Sequence, residues 1–243
     1  PLVKHLLWGL GVNLPKAAET LSGLSLRLAQ RGNGLQEMVE RLRSIVPDIS
    51  QQETSESANF NEYFELKRRT LQAFQCSLMV RALDRFGQGR LTVVDVGDSA
   101  GTHMLYLREL TRDRFALDTV SVNLDPRAIE KIRARNLKAI QCRAEELVWD
   151  EPVDLFTCFE MIEHLHNPAL FLRRLAKRAD SSRLLMTVPY VRRSRVGLHH
   201  VRSGAEKRIY AEDEHIFELS PADWTLLMRH SGWLVVESRV YYQ

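Results

Sequence analysis

Acids and imidazoles cluster in the stretch FEMIEHLHNP, where Glu160, Glu163 and His164 form an E-x-x-E-H string. If this string begins a helix, Glu160 shares a face with both Glu163 and His164, at spacings of three and four residues. With His215 of EDEHIFEL, these side chains offer the oxygen and nitrogen donors that suit a divalent cation. Alternatively His164 is a general base beside Glu160. In a third interpretation the string is only a helix start, where the helix dipole favours carboxylates. We predict the general base and no metal site.

A second group of chemically suited residues lies in VVDVGDSAG, where a β-branched run ends in Asp95 and small residues follow. Gly97, Ser99 and Gly101 allow a backbone to approach a ligand closely at the end of a strand. A dinucleotide fingerprint would need glycine at positions 97, 99 and 102, and Ser99 and Thr102 exclude it. The stretch therefore indicates either a ligand-binding turn of another kind or an ordinary tight turn between strand and helix.

Asp125 ends a second apolar run in VSVNLDP, about one β-α-β unit beyond the small-residue turn. A carboxylate at the end of the second strand of such a unit can accept hydrogen bonds from both hydroxyls of a ribose. An isolated Asp-Pro pair is also typical of a helix start, with the acid as N-cap and proline at the first helical position. Both interpretations remain open from the sequence.

The elements that position these residues alternate regularly from Leu91 onwards. The short apolar runs LTVVDV, LDTVSVNL, LKAIQC, VDLFTCF and RLLMTVP are separated by helix-like segments, and WLVVESRVYY is predicted as a final strand. Such alternation predicts a Rossmann-like, doubly wound α/β fold, with a mostly parallel sheet of six or seven strands. Residues 1–88 show helical periodicity instead, interrupted by a polar linker, SQQETSESAN. We predict a helical N-terminal extension over 1–88 and a ligand-binding domain over 89–243.

Residues 91–236 resemble a class I S-adenosylmethionine-dependent methyltransferase, of the broad group that includes ubiquinone-biosynthesis O-methyltransferases. The resemblance rests on blocks that occur in the family's order: DVGDSAG, NLDP, RAEEL, FEMIEHLHNP, LLMTVPY, and EHIFELSPADW followed by HSGW. It implies S-adenosylmethionine as cofactor and a methyl-transfer reaction. Relatives of the ubiquinone pathway and small-RNA 2′-O-methyltransferases bind a divalent cation with a constellation similar to E-x-x-E-H, but many relatives with this string have no metal.

The resemblance also assigns cofactor-binding roles. The methionine end of the cofactor would lie against the first turn, the ribose against the end of the second strand, and the adenine against the third and fourth strands. The residues implied are Asp95, Gly97, Asp98, Ser99, Gly101, Asn123, Asp125, Ala144, Glu145 and Phe159. Ser99 replaces a glycine of the family, and Arg143 stands where the family has an acid for the adenine amine. Arg143 accepts no hydrogen bond, so adenine recognition must rest on backbone groups or on Glu145.

Composition narrows the classes of function. The 243-residue chain has a formal net charge of +3 and a pI near 8.9, which is too weakly basic to indicate nucleic-acid binding by itself. Three widely spaced cysteines indicate neither a disulfide framework nor a zinc site, and they favour a reducing, cytoplasmic location. No apolar run reaches the roughly 20 residues that span a bilayer.

The function that we predict is O-methylation of a small-molecule or glycan-type acceptor, such as a sugar nucleotide. The basic segment YVRRSRVGLHHVRSGAEKRIYAEDEH favours an anionic acceptor, or it is a solvated loop. One alternative is an RNA 2′-O-methyltransferase with a divalent metal, although the chain has no recognisable RNA-binding module. The other is a non-catalytic, cofactor-binding subunit that docks a partner through residues 1–88.

Overall fold

The computed structural model describes residues 14–52, 60–177, 182–197 and 215–242. Its chain divides into two compact units. Among the described residues, one unit runs to Ser77 and includes Tyr241 and Tyr242, and the other comprises Leu78–Val240. The division falls inside a helix, upstream of the boundary at residue 88 that the sequence predicts.

The first unit is helical, as its apolar periodicity predicts. Helix α1 spans Leu14–Gly32, α2 spans Gln36–Ile45, a 3-10 turn spans Ile49–Gln52, and α3 spans Glu62–Asp84 and continues into the second unit. The predicted linker is only partly described, because residues 53–59 lie outside the described ranges.

The buried side chain of Arg69 joins α3 to the chain that follows α2. Its guanidinium donates hydrogen bonds to the carbonyl oxygens of Val46 and Pro47, at 2.8 and 2.7 Å, and to Glu65 at 2.8 Å. Burying a guanidinium is unfavourable unless its donors find acceptors, and here a carboxylate and two carbonyls satisfy Nε and Nη2, whereas Nη1 has no partner among the described residues.

The second unit is built on a parallel five-stranded sheet with the order β3-β2-β1-β4-β5. The strands are listed here in chain order: β1 Gly89–Val96, β2 Phe115–Asn123, β3 Lys138–Gln141, β4 Leu155–Phe159 and β5 Arg183–Thr187. The strand order reverses between β1 and β4, which creates the switch point where open α/β sheets bind ligands. The prediction of a doubly wound α/β fold is confirmed.

Helices connect these strands, and their starts agree with the sequence. Helix α4 spans Thr102–Thr111, α5 spans Pro126–Ala134, α6 spans Pro168–Lys177 and α7 spans Pro221–His230. The Asn167 side chain accepts a hydrogen bond from the Leu170 amide at 3.0 Å, and Ser220 caps α7 in the same way. These caps satisfy amides that would otherwise have no partner at a helix start. No described helix is long and apolar enough to cross a bilayer.

The core of the second unit is formed around the central strands β1 and β4. All five residues of β4 are buried, as are Val93, Val94 and Val96 of β1, so these two strands are covered on both faces. Trp224 and Met228 of α7 belong to the same apolar cluster. The carboxyl ends of β1 and β4, which carry the candidate site residues, are therefore fixed by burial.

One prediction about the C-terminal half is wrong. The segment WLVVESRVYY forms no strand: Trp233 and Val235 pack against the core and Leu234 and Val236 point outwards, but residues 233–242 pair with no strand in the described part of the chain. Within the described ranges the parallel sheet has five strands, where the sequence predicts six or seven. A two-stranded antiparallel hairpin, β6 Arg195–Val196 with β7 Phe217–Glu218, lies apart from it and was not predicted.

Candidate functional site

The turn after β1 has the backbone conformation that its glycines permit. Gly97 and Gly101 have φ of 97° and 74°, in the region that L side chains rarely adopt. A Cβ atom on Gly97 would lie 2.7 Å from Cγ of Met161, and one on Gly101 would lie 2.8 Å from Cδ1 of Leu137. Both glycines are therefore required by conformation and by space, and Gly97 brings the turn directly against the segment that follows β4.

Two buried carboxylates line this turn. Asp95 accepts a hydrogen bond from the Thr157 hydroxyl at 2.7 Å, and Asp98 accepts one from the Ser121 hydroxyl at 2.9 Å. The imidazole Nδ1 of His103 lies 3.2 Å from Asp95 Oδ2 and 3.9 Å from Asp98 Oδ1. Burial, together with the neighbouring charge of Asp95, raises the pKa of Asp98 from 3.8 to about 6. Ser99, which lies between the two acidic positions and the helix, is exposed.

Two side chains from neighbouring elements donate hydrogen bonds to backbone carbonyl groups of the turn after β1. The side-chain amide of Asn123 donates to the carbonyl oxygen of Asp98 at 3.0 Å. The guanidinium of Arg135 donates to the carbonyl oxygen of Ala100 at 2.7 Å and to the Thr102 hydroxyl at 3.1 Å. Sequence reasoning did not single out Arg135 or His103, because neither belongs to a motif and both act through the folded turn.

Asp125 is the N-cap of α5, which is one of the two roles that the sequence left open. One oxygen, Oδ1, accepts from the Arg127 amide at 2.9 Å and from Arg127 Nε at 3.3 Å, and Oδ2 lies 3.2 Å from Arg127 Nη2. The Asn123 side chain accepts from the Asp125 amide at 2.8 Å, so the ends of the first two strands are linked through one asparagine. The predicted ribose contact remains a prediction.

The predicted adenine-side residues lie in a short 3-10 helix, Ala144–Glu146, after β3. The Glu145 carboxylate accepts from the His166 amide through Oε1 at 3.1 Å. Its other oxygen, Oε2, is buried and has no hydrogen-bond partner among the described residues, and Arg143 Nε lies 3.9 Å from it. An acceptor of this kind fits an amine donor such as that of adenine. Phe159, buried at the end of β4, lies edge-on to His103 with ring centroids 4.8 Å apart.

The E-x-x-E-H string does not begin an α-helix, so the shared helix face predicted for it is wrong. Glu160 has a left-handed backbone with φ of 49°, and only Ile162–His164 form a 3-10 turn before α6 begins at Pro168. The Glu160 amide donates to the carbonyl oxygen of Thr187 at 3.0 Å, which extends the pairing of β4 with β5 and prevents a helical start. Burial raises the pKa of Glu160.

The 3-10 turn nevertheless brings three of the four predicted side chains together. Donor atoms of Glu163, His164 and His215 all lie within 4.8 Å of one another. The Glu163 side chain is fully buried, and neither of its oxygens has a hydrogen-bond partner among the described residues. Burial, and then the charge of Glu160, raises the pKa of Glu163 to about 8. His215 Nε2 lies 4.0 Å from Glu163 Oε1, and the two imidazole rings are 4.8 Å apart.

The hairpin of β6 and β7 supplies His215 to this cluster. The Ile216 amide donates to the carbonyl oxygen of Glu163 at 2.8 Å, so the residue after His215 is anchored on the 3-10 turn. Arg195, which the sequence groups with acceptor-binding arginines, pairs with the buried Glu218 of the same hairpin. Arg192 and Arg193 are exposed, and the remainder of the basic segment, residues 198–214, lies outside the described residues.

Comparisons with known proteins agree with this geometry. A family model described as a methyltransferase domain matches residues 66–238. The fold is similar to that of a magnesium protoporphyrin IX methyltransferase from Synechocystis PCC 6803, solved with bound S-adenosylmethionine, with 14% identity, a TM-score of 0.51 and coverage of 84% of this chain and 86% of that one.

A second solved structure is 1,6-didemethyltoxoflavin-N1-methyltransferase from Burkholderia thailandensis, with S-adenosylhomocysteine bound. It is 16% identical, with a TM-score of 0.51 and coverage of 69% and 70% of the two chains. No curated protein matches the chain significantly. At these identities the structures show the fold alone, whereas the family model covers well over half of the chain. The chain belongs to the methyltransferase-domain family, as its resemblance to the class I S-adenosylmethionine-dependent methyltransferases predicts.

Proposed function

We propose that this methyltransferase transfers a methyl group to an oxygen of a small-molecule or glycan-type acceptor, at the Glu160–His164 segment. The observation that carries the proposal is the contact between Gly97 and Met161. Met161 is the second residue of the E-x-x-E-H string, and its side chain fills the space beside Gly97, the first glycine of the turn after β1. Groups that can bind or deprotonate a hydroxyl are therefore adjacent to the groups assigned to the cofactor.

The residues present fit S-adenosylmethionine, which supplies a methyl group from its sulfonium. Asp95 and the backbone of Gly97–Gly101 would hold its methionine end, and Asp125 would accept the ribose hydroxyls. Oε2 of Glu145, which is buried and finds no hydrogen-bond donor in the described part of the chain, is an acceptor that suits the adenine amine, in place of the acid that Arg143 replaces. Because methyl transfer is an in-line displacement, the main task of these residues is to orient the cofactor and exclude water.

The acceptor hydroxyl must lose a proton as its oxygen attacks, and His164 is the base that the sequence favours. Its imidazole lies on the 3-10 turn, with Glu160 and Glu163 preceding it. A neutral imidazole would take the proton, and Glu163, which lies within 4.8 Å of it, would stabilise the resulting cation in its ionised form. His164 and Glu160 are the catalytic residues in this form of the proposal.

Glu163 favours a second form, in which the same cluster binds a divalent cation. Two buried carboxylate oxygens that find no hydrogen-bond donor in the described ranges, and that lie near another acid, are unfavourable unless a cation or a proton compensates them. Glu163, His164 and His215 form a mixed oxygen and nitrogen donor set of the kind that Mg²⁺, Mn²⁺ or Co²⁺ accepts. A bound cation would lower the pKa of a coordinated hydroxyl and so assist its deprotonation.

A transfer assay tests the function itself. Purified protein, labelled S-adenosylmethionine and a panel of sugar nucleotides, phenols and short RNAs should give label in at least one hydroxyl acceptor, with formation of S-adenosylhomocysteine. Transfer to RNA alone would favour the 2′-O-methyltransferase alternative. Tight S-adenosylhomocysteine binding without transfer to any acceptor would favour the non-catalytic subunit.

A further inference from the structure

The two-stranded hairpin connects its buried acid to the candidate metal ligands. Arg195 lies opposite Glu218 in the antiparallel register of β6 and β7. The Gly197 amide donates to the carbonyl oxygen of Ile216 at 2.9 Å, and the Ile216 amide donates to that of Glu163 at 2.8 Å. The backbone thereby holds the start of β7 against the 3-10 turn, and His215, one residue earlier, is placed beside Glu163.

Glu218 fixes which nitrogen of His215 carries the proton. The Glu218 side chain is 4% exposed, and it pairs through Oε2 with Arg195 and through Oε1 with His215 Nδ1, at 3.1 Å. A carboxylate paired with a guanidinium only accepts hydrogen bonds, so Nδ1 must be the donor. In the neutral imidazole the remaining nitrogen, Nε2, then presents a lone pair.

That lone pair faces another acceptor. His215 Nε2 lies 4.0 Å from Oε1 of Glu163, which is too far for a hydrogen bond and leaves two electron-rich atoms directed at the same space. Neither oxygen of Glu163 has another hydrogen-bond partner in the described chain. A cation between the two groups would satisfy the imidazole lone pair and the carboxylate oxygen together.

We propose that Glu218, neutralised by Arg195, is a positioning residue that presents His215 Nε2 to a divalent cation shared with Glu163 and His164. The proposal rests on the cation-assisted form of the proposed function. An imidazole that donates its second nitrogen to a carboxylate is a better ligand, because its tautomer and its ring orientation are fixed before the ion binds. Arg195 thus acts inside the protein, and not on the acceptor.

Co²⁺ binding to the full chain tests this without any acceptor. Calorimetry and the visible absorption of bound Co²⁺ should show binding to the wild type and about 10–100-fold weaker binding to Glu218→Leu. Glu218→Gln keeps an amide oxygen that can accept from Nδ1, so it should restore part of the affinity. Glu237→Gln is the matched control, because Glu237 also pairs with arginines, Arg81 and Arg85, but away from the cluster.

The outcomes separate this inference from the methyltransferase function. Binding of S-adenosylhomocysteine, measured on every variant, should stay unchanged and reports on folding. Equal Co²⁺ affinity and spectrum in Glu218→Leu and the wild type would overturn the positioning role. A wild type that transfers methyl groups but binds no Co²⁺ would overturn the cation and this inference, and leave the methyltransferase function intact. If Glu218→Leu does not fold, Glu218→Ala applies the same test, and unchanged Co²⁺ affinity in that variant overturns the inference.

Discussion

His103 Nδ1 lies 3.2 Å from Oδ2 of Asp95, so an imidazole in the first turn of α4 contacts the acid near the carboxyl end of β1. The same imidazole lies 3.9 Å from Asp98, which is also buried. Two buried acids therefore share one basic neighbour in the turn after β1. Because Asp98, between Gly97 and Ser99, is buried away from water, its ionised form is disfavoured.

Stability should consequently depend on pH through Asp98. Its pKa is about 6 in the folded chain and 3.8 ordinarily, so the folded state holds a proton that the unfolded state has already released. The stability contributed by protonated Asp98 is fully present below pH 3.8 and is lost as pH rises through 6. The free energy of unfolding of the wild type should therefore fall, relative to Asp98→Asn, between about pH 4 and 6.

Urea unfolding of both proteins across this pH range measures the difference. Asp113→Asn serves as the control, because that side chain is 91% exposed and its surroundings change little on unfolding. The difference in free energy of unfolding between the wild type and Asp113→Asn should stay constant across the pH range. A gap between wild type and Asp98→Asn that is flat, or that changes in the opposite direction, would show that Asp98 is not desolvated in the native turn.

Gly97→Ala should lower both the stability of the fold and the affinity for the cofactor, whereas a strained glycine elsewhere should affect stability alone. The new methyl group would meet Met161 Cγ at 2.7 Å and would force a φ of 97° on a residue with a side chain. Gly87→Ala is the matched control, since Gly87 has φ of 80° but no atom within 4 Å of its added Cβ. Both variants should lose about 1–3 kcal/mol of stability. Only Gly97→Ala should weaken S-adenosylhomocysteine binding at least about tenfold, measured by calorimetry.

The sequence predicts what depends on strand and helix pattern, and it fails where tertiary pairing decides. The β-branched runs and small-residue turn locate β1, β2 and β4 and place Asp95 and Asp125 at strand ends. The helix expected at Glu160 is absent, because the Glu160 amide bonds to Thr187 on the neighbouring strand. Residue spacing alone contains no information on that cross-strand bond.

The grouping of acids and imidazoles follows from chain proximity and one tertiary hydrogen bond, and not from a shared helix face. Glu163 and His164 are adjacent in sequence, so any tight turn brings them near each other. His215 joins them because the Ile216 amide, just before β7, bonds to the carbonyl oxygen of Glu163 in the 3-10 turn, and β6 and β7 have only two residues each. Strands this short leave too few residues for an alternating pattern. The pairing of Arg195 with Glu218 could not be predicted from the sequence for the same reason.

Asp125 should bind the cofactor and cap α5, and two substitutions separate these contributions. Asp125→Asn retains a good capping side chain but removes the charge, so thermal stability should hold while S-adenosylhomocysteine binds more weakly. Asp125→Ala should lose the cap, worth about 1 kcal/mol, and weaken binding by about 1.5–3 kcal/mol. Thermal unfolding and calorimetry measure the two effects. Binding as tight as that of the wild type in both variants would remove Asp125 from the cofactor site.

Arg192 and Arg193 are the described arginines of the basic segment that remain exposed, and they are the better test of an anionic acceptor. Replacing both with Gln should raise the KM for that acceptor several-fold and leave S-adenosylhomocysteine affinity unchanged. The difference should shrink at high salt, because exposed charges are screened within about 10 Å at 0.1 M ionic strength. Arg112→Gln, at another exposed position, is the control. Identical steady-state kinetics in all three proteins would favour a solvated loop.

Activity in the presence of a chelator decides between the two forms of the reaction. If the cluster binds a divalent cation, activity should fall in EDTA and return with Mg²⁺, Mn²⁺ or Co²⁺, since the ion assists deprotonation of the acceptor. His164→Ala and His215→Ala should then be similarly damaging, because each removes a donor from the same ion, whose predicted donors lie within 4.8 Å of one another. We expect this result because the buried Glu163 carboxylate finds no hydrogen-bond donor among the residues that the structure describes. Full activity in EDTA, with His164→Ala inactive and His215→Ala nearly as active as the wild type, would instead establish His164 as the general base.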